Sequence, residues 1–134
     1  NMRALFTFLF NSLSTAHASF KSRTYTTPLE NQLKQLHLEI SNSLEQKHSI
    51  ARCAKQLNIS ESYFQLIYKK LFGQSFQQDL ILMRVTRARF NLSTSNLSLS
   101  QIAELCGYNN EVHFYRQFKK LTGVTPAQYR KHPF

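Results

Sequence analysis

Apolar residues recur at intervals of three and four along most of the chain, which is the spacing of one face of an α-helix. The first clear stripe predicts a helix that lies on a core, and its members are Leu29, Leu33, Leu36, Ile40 and Leu44. Thr27 and Pro28 precede it as the capping residue and the first helical position. A second pattern over residues 76–92 predicts one long helix. Because the chain has only three Gly and three Pro, these patterns favour an all-α fold.

The sequence also contains an internal repeat. Residues 64–75 (FQLIYKKLFGQS) align with residues 114–125 (FYRQFKKLTGVT), fifty positions further along. The identical pairs are Phe64/Phe114, Lys69/Lys119, Lys70/Lys120, Leu71/Leu121, Gly73/Gly123 and Gln78/Gln128. Upstream, the match continues at an offset of 49, with Ser49 opposite Ser98. A one-residue difference in a turn explains the change of offset, so we interpret the repeat as two copies of one structural unit.

Each copy predicts two short helices joined by a tight turn. The helix-capping residues are predicted to be Ser49, Ser60, Ser98 and either Asn109 or Asn110. Glycine marks the turn or the helix end at Gly73, Gly107 and Gly123. The second helix of each copy is expected to face inward through Phe64, Ile67, Tyr68 and Leu71, and through Phe114, Phe118 and Leu121. This is the pattern of a helix-turn-helix.

We therefore predict an all-α fold in which two helix-turn-helix subdomains are joined by a long linker helix. The predicted boundaries are 28–74 for the first subdomain, 75–96 for the linker helix and its turn, and 97–134 for the second subdomain. Within residues 1–27, helical spacing of Leu5, Leu9 and Leu13 favours an amphipathic helix followed by a polar linker at 21–27. The Ala-His-Ala sequence at 16–18 leaves a secretory signal peptide as the alternative.

The net positive charge of the chain indicates which kind of molecule it binds. The chain carries 17 Lys and Arg against 7 Asp and Glu, a net charge of +10. Residues 48–134 hold twelve of the basic and four of the acidic side chains, so +8 of this charge belongs to the region of the repeat. A polyanion, either nucleic acid or an anionic membrane surface, is the partner that such an excess favours. No segment approaches the ~20 apolar residues of a membrane span.

The chain offers little chemistry for catalysis or metal binding. Cys53 and Cys106 lie in apolar helical stripes without a CxxC or Cys/His spacing, which indicates buried thiols in a reducing compartment. The five histidines show no HxxxH or HExxH pattern, and no phosphate-binding loop or nucleophile motif is present. We expect no enzyme activity, no catalytic residue, no metal and no cofactor.

The second copy carries the string Gly107-Tyr108, Phe114, Arg116, Phe118-Lys119, Gly123-Val124-Thr125-Pro126 and Tyr129-Arg130. This string resembles the signature of the AraC/XylS family of bacterial transcription regulators, and the resemblance covers about residues 30–131. It implies two helix-turn-helix subdomains, with one recognition helix from each in the major groove on one face of the DNA. It further implies an activator that contacts RNA polymerase, with an N-terminal effector or dimerisation domain of which residues 1–20 form the last helix. Two residues depart from the family pattern, Leu66 in place of a frequent Arg and Asp79 in place of a frequent Tyr.

The outward faces of the two recognition helices supply the candidates for base contacts. They are Ser62 and Gln65 in the first unit and Glu111, Val112, Tyr115 and Arg116 in the second, with Leu66 at the margin. The Arg116 guanidinium can pair with guanine, with a phosphate contact or a surface ion pair as the alternative. Gln65 can pair with adenine, Glu111 can accept from cytosine, and Val112 can pack on a thymine methyl. For Gln65 and Ser62 the alternative is an ordinary solvent-exposed face. Because Leu66 replaces an arginine, we expect weaker engagement by the first unit.

Other basic and capping residues are better suited to phosphates, which position a protein on DNA without reading its sequence. The predicted phosphate contacts are Ser49, Lys69, Lys70, Ser98, Lys119, Lys120, Arg130 and Lys131. The expected function is sequence-specific binding of double-stranded DNA in the bacterial cytoplasm, at the nucleoid. The alternatives are a basic helical protein-interaction module and a secreted, membrane-active protein.

Overall fold

The computed structural model describes residues 27–134, and the predictions for residues 1–26 lie outside this range. The described part contains seven α-helices and no strand, which confirms the all-α prediction. The helices are α1 (Pro28–Ser41), α2 (Ile50–Leu57), α3 (Glu61–Phe72), α4 (Phe76–Thr94), α5 (Leu99–Leu105), α6 (Glu111–Thr122) and α7 (Pro126–Lys131). Helices α2 and α3 form the first helix-turn-helix, and α5 and α6 form the second.

Polar caps set the start of each of these helices. The hydroxyls of Ser49, Ser60 and Ser98 accept hydrogen bonds from backbone N–H groups three residues later. At α6 the cap is Asn110, whose side chain accepts from His113 N at 2.7 Å. The caps satisfy N–H groups that would otherwise have no partner in the first turn of a helix. Local sequence therefore determines where the helices begin.

Two hydrophobic cores lie along the chain, and α4 contributes to both. Phe76, Leu80 and Met83 pack in the first core with α1, α2 and α3. The opposite end of α4 packs in the second core with α5, α6 and α7 through Val85, Ala88 and Leu92. Since one continuous helix belongs to both cores, it does more than separate the two units. It is expected to hold their orientation as well as their spacing.

Two apolar residues do not lie where their spacing suggested. Helix α1 ends at Ser41, so Leu44 belongs to the segment after it, although its side chain is buried. Leu121 was predicted to face inward, but 44% of its surface is exposed. Its counterpart Leu71 packs partly buried against the first core, which includes α1, whereas no described helix equivalent to α1 belongs to the second core. The prediction for Leu121 is therefore wrong.

A polar cluster lies inside the first core around Asp79, one of the two departures from the family pattern. The Asp79 carboxylate accepts hydrogen bonds from Tyr68 Oη at 2.5 Å and Gln74 Nε2 at 2.8 Å, and His37 Nε2 lies 3.0 Å from it. Burial alone would raise the pKa of Asp79. The hydrogen bonds from His37, Tyr68 and Gln74, together with the charge of His37, outweigh burial and place this pKa below its ordinary value. Asp79 therefore links α1, α3 and α4 as a buried carboxylate.

The two units also contact each other directly, beside the middle of α4. Arg84 Nη2 donates to the carbonyl oxygen of Gln46 at 3.4 Å, and its guanidinium lies 6.0 Å from the centre of the Tyr108 ring. Gly107 has a φ of +91°, and the Leu44 carbonyl oxygen lies so close to it that an added Cβ would overlap that oxygen. The segment between α1 and α2 thus packs on the turn between α5 and α6.

Candidate nucleic-acid interface

Helices α3 and α6 are structural equivalents, as the repeat predicted. Each has twelve residues, a polar cap at its start and a glycine in the left-handed conformation at its end. The alternation of buried and exposed residues over 61–70 is identical to that over 111–120. Residues fifty positions apart therefore occupy the same place on the two helices.

Aromatic residues determine which side of each helix faces the core. Phe64 and Tyr68 of α3 and Phe114 and Phe118 of α6 are almost completely buried. Phe64 packs edge-on against Phe76 with ring centres 5.5 Å apart, and further ring contacts hold Tyr68, Phe114 and Phe118. With one side held in this way, the opposite side of each helix is directed to solvent.

All six predicted base-contacting residues lie on these solvent sides. They are Ser62, Gln65, Glu111, Val112, Tyr115 and Arg116. The exposed fraction reaches 60% for Val112. Within residues 27–134, the side chains of Gln65 and Arg116 have no hydrogen-bonding partner, so their polar groups are available to a ligand.

The lysines near the ends of α3 and α6 give both faces a positive charge. Lys69 and Lys70 occupy the last turn of α3, and Lys119 and Lys120 occupy the last turn of α6. All four are exposed, and none forms an ion pair with another described residue. They suit an anion that approaches from the solvent side.

The remaining predicted phosphate contacts differ in availability. Ser49 and Ser98 use their hydroxyl oxygens as helix caps, which leaves each hydroxyl hydrogen free to donate, and Lys131 is exposed. Arg130 is directed instead toward the end of α4, where Nε donates to Leu92 O at 3.3 Å and Nη2 donates to Ser95 O at 3.4 Å. A phosphate at Arg130 would compete with these two carbonyls.

The sequence analysis placed Leu66 at the margin of α3, but the structure gives it a prominent position. It is 66% exposed, more than any other exposed large hydrophobic residue in the range 27–134. The fifty-residue offset puts it opposite Arg116. Comparing the two copies position by position would have assigned Leu66 to the outward face.

Three arginines of α4 contribute to the basic excess but form contacts with other parts of the protein. Arg84 donates to Gln46 O, and Arg87 donates to Ser41 O at 3.2 Å. Arg89 is buried, donates to Phe134 O at 2.6 Å and lies 5.4 Å from the centre of the Tyr129 ring. These three arginines therefore connect parts of the fold and do not add their charge to the outward faces of α3 and α6.

The described residues show neither a membrane span nor a metal-binding cluster. No helix from residue 27 onward is both long and apolar enough to cross a membrane, and no three His, Cys, Asp or Glu residues of this part are grouped to hold a metal ion.

Cys53 and Cys106 are buried free thiols, and burial raises the pKa of Cys106 to about 11. The Cys106 thiol is therefore protonated at neutral pH.

Residues 53–132 match a family model described as a helix-turn-helix domain. The chain is 29% identical over 112 residues to the Msm operon regulatory protein of Streptococcus mutans, covering 83% of this chain and 39% of that protein. The curated relatives that the chain matches are much longer, and the chain spans about two fifths of their length or less.

Two solved structures resemble the described fold. The C-terminal domain of the response regulator yesN from Fusobacterium nucleatum superposes with a TM-score of 0.71 and 31% identity, covering 75% of this chain and 98% of that domain. The DNA-binding domain of the transcriptional factor AdpA, in complex with a target DNA, superposes with a TM-score of 0.72 and 26% identity. That match covers 79% of this chain and 92% of the AdpA domain.

Proposed function

Because the chain belongs to the AraC/XylS type of DNA-binding helix-turn-helix transcription regulators, we propose that α3 and α6 enter successive major grooves on one face of a DNA duplex. The observation that carries this proposal is the identical exposure pattern of the two helices, each with two exposed lysines that form no ion pair with another described residue. Two grooves on the same face of B-DNA are separated by about one helical turn, ~34 Å.

The packing of α4 in both cores and the contact between the units support two-groove binding. Helix α4 belongs to both cores, and Arg84 and Gly107 bring the units into contact beside it. Units held in this way bind as one body, so the entropy cost of association is borne once for both recognition helices. DNA that does not match their separation has to bend, or one unit engages weakly.

The second unit is proposed to supply most of the base discrimination. Arg116 is exposed and without a partner among the described residues, so its guanidinium is free to pair with guanine O6 and N7. Gln65 is proposed to read adenine in the first half-site. The first unit lacks an arginine at the equivalent position, and we propose that its contribution to discrimination is smaller.

The regulatory consequences are also proposals. The family resemblance supports an activator that contacts RNA polymerase, acting in the cytoplasm at the nucleoid. Effector binding is assigned to a domain that the described residues do not include, in line with the greater length of the curated relatives. A protein-interaction module and a membrane-active protein are the alternative outcomes of the following test, and no feature of residues 27–134 favours either.

Footprinting on genomic DNA, followed by gel-shift titration with competitor DNA, tests the proposed function. We expect a protected site of about two helical turns, because two major grooves are occupied. Affinity for this site is expected to survive excess random DNA and to fall steeply with salt as counterions are released. Binding that is indifferent to sequence, or an absence of binding at low salt, would refute the proposal.

Replacing Arg116 or Lys119 with alanine is expected to separate base reading from phosphate binding. Arg116→Ala should weaken binding to the cognate site by roughly 5- to 150-fold, the equivalent of ~1–3 kcal/mol, and change binding to random DNA much less. Lys119→Ala should weaken both by a similar factor and reduce the salt slope by about one. Gel shifts at several salt concentrations make the comparison. Equal losses of Arg116→Ala on cognate and random DNA would contradict base reading by Arg116.

A further inference from the structure

Among the large apolar residues from position 27 onward, the most exposed one lies in the middle of the outward face of α3. Leu66 is 66% exposed, and the exposed residues around it on α3 are Ser62, Tyr63, Gln65, Lys69 and Lys70. An apolar side chain at this position gains nothing from water. Its burial against a matching apolar group would be favourable by the hydrophobic effect.

The repeat places Leu66 in the register of Arg116. Both are the sixth residue of a twelve-residue helix, and both follow the buried phenylalanine of the repeat by two positions. Because the exposure patterns of α3 and α6 are identical, the two side chains leave their helices at the same height and in the same direction. In the proposed complex, Leu66 therefore faces one groove from the helix position at which Arg116 faces the other, with a shorter side chain.

The chemistry of the major groove gives Leu66 one natural partner. A leucine side chain has no hydrogen-bonding group, and the edges of guanine, adenine and cytosine present acceptors and donors. Thymine alone adds a methyl group, at C5. Lys69 and Lys70 lie within one turn of Leu66. Because their positive charges favour anionic groups, a partner of Leu66 should carry such groups next to its apolar part. Thymine in a phosphate-bearing duplex meets both requirements, whereas an apolar protein surface meets only the first.

We propose that Leu66 packs on the C5 methyl of a thymine in the half-site bound by α3. This inference rests on the proposed binding of DNA through α3 and α6. Its consequence is an asymmetric operator, in which a guanine read by Arg116 and a thymine read by Leu66 occupy equivalent positions of the two half-sites. Leu66 is thus a specificity-determining residue that acts through an apolar contact and not through a hydrogen bond.

Replacing thymine with deoxyuridine in the footprinted operator tests the proposal, because it removes only the C5 methyl group. Each thymine of the first half-site is substituted in turn. The full-chain protein is expected to bind one of these operators about three- to fivefold more weakly, the effect of losing one buried methyl group. Leu66→Ala is expected to bind the unsubstituted operator more weakly by a similar factor and to show no further loss at that deoxyuridine.

Leu38→Ala is the matched control, since Leu38 is 53% exposed on α1 and lies outside both recognition helices. It should keep the full sensitivity to deoxyuridine. The inference is overturned if no single substitution weakens wild-type binding, or if Leu66→Ala remains as sensitive as wild type. Wild-type protein that finds no specific site at all refutes the proposed function itself, which the footprint shows before any deoxyuridine is introduced.

Discussion

Gly107→Ala is expected to destabilise the protein more than the same substitution at either Gly73 or Gly123. All three glycines have positive φ, at +91°, +81° and +83° respectively. A residue with a Cβ loses about 1–2 kcal/mol in this conformation, so each substitution has that cost in common. At Gly107 the new Cβ would also overlap the Leu44 carbonyl oxygen and lie 3.0 and 3.1 Å from guanidinium nitrogens of Arg84.

The additional cost arises because the obstructing atom belongs to the backbone of the other unit. Relieving the overlap requires the segment between α1 and α2 to move away from the turn between α5 and α6. We expect this to add about 1–3 kcal/mol, the range for overpacking a well-filled site. Urea unfolding of the three variants at one temperature measures the difference. Gly73 and Gly123 are matched controls, since nothing lies within 4 Å of a Cβ built at either position.

The same substitution is expected to weaken binding to the two-part operator, because the displaced segment changes the orientation of α6 relative to α3. Gly123→Ala, which has no such contact, should have a smaller effect. Equal stability of Gly107→Ala and Gly123→Ala would show that the contact between the units does not resist displacement. The proposal that the two units bind DNA as one body would then rest only on the packing of α4 in both cores.

Asp79→Ala is expected to lower the free energy of unfolding by about 2–4 kcal/mol, because it removes the acceptor of a fully buried hydroxyl. Tyr68 Oη then has no partner among the residues that now surround it, and the hydrogen bonds from His37 and Gln74 are also lost. Urea unfolding at pH 7 provides the measurement. Tyr68→Phe removes the donor instead of the acceptor.

The double variant Asp79→Ala/Tyr68→Phe serves as the control. It leaves neither an unsatisfied hydroxyl nor an unpaired carboxylate, so its loss should be smaller than the sum of the two single losses. If the losses add, the hydrogen bond between Tyr68 and Asp79 contributes nothing to stability. The cluster would then be a consequence of packing.

The contribution of the Asp79 charge is expected to depend on pH. Its pKa is below the ordinary value of 3.8, so the folded protein binds this proton less tightly than the unfolded chain does. Such a group stabilises the fold fully above about pH 4, and the stabilisation is lost as the pH falls through the lower, folded-state pKa. The stability difference between wild type and Asp79→Asn should therefore shrink as the pH falls from about 4 toward 3. Urea unfolding across this range detects it.

Several features of the candidate site were available from the sequence. Ser49, Ser60 and Ser98 cap helices where predicted, and the repeat correctly paired α3 with α6. These signals are short in range, because a cap depends on a residue three positions away and a helical face on residues three and four apart. The six proposed base contacts followed from them, since an amphipathic helix leaves only one side outward.

Other features depend on residues that are distant in the sequence, and periodicity carries no information about them. Asp79 bonds to His37 across 42 positions, Arg84 to Gln46 across 38, and Arg89 to Phe134 across 45. The sequence pattern therefore does not distinguish an arginine of α4 that faces solvent from one that hydrogen-bonds to a distant segment. Leu121 was misjudged for a related reason, since whether a helix position is covered depends on the neighbouring helix.

The sequence by itself thus determined the helices, the duplication and the outward side of each recognition helix, because these follow from local hydrogen bonding and hydrophobic spacing. Only the tertiary structure decided how the two units are joined and which basic residues form hydrogen bonds within the protein. These properties arise from packing between segments far apart in the chain, and such contacts are defined only in the folded protein.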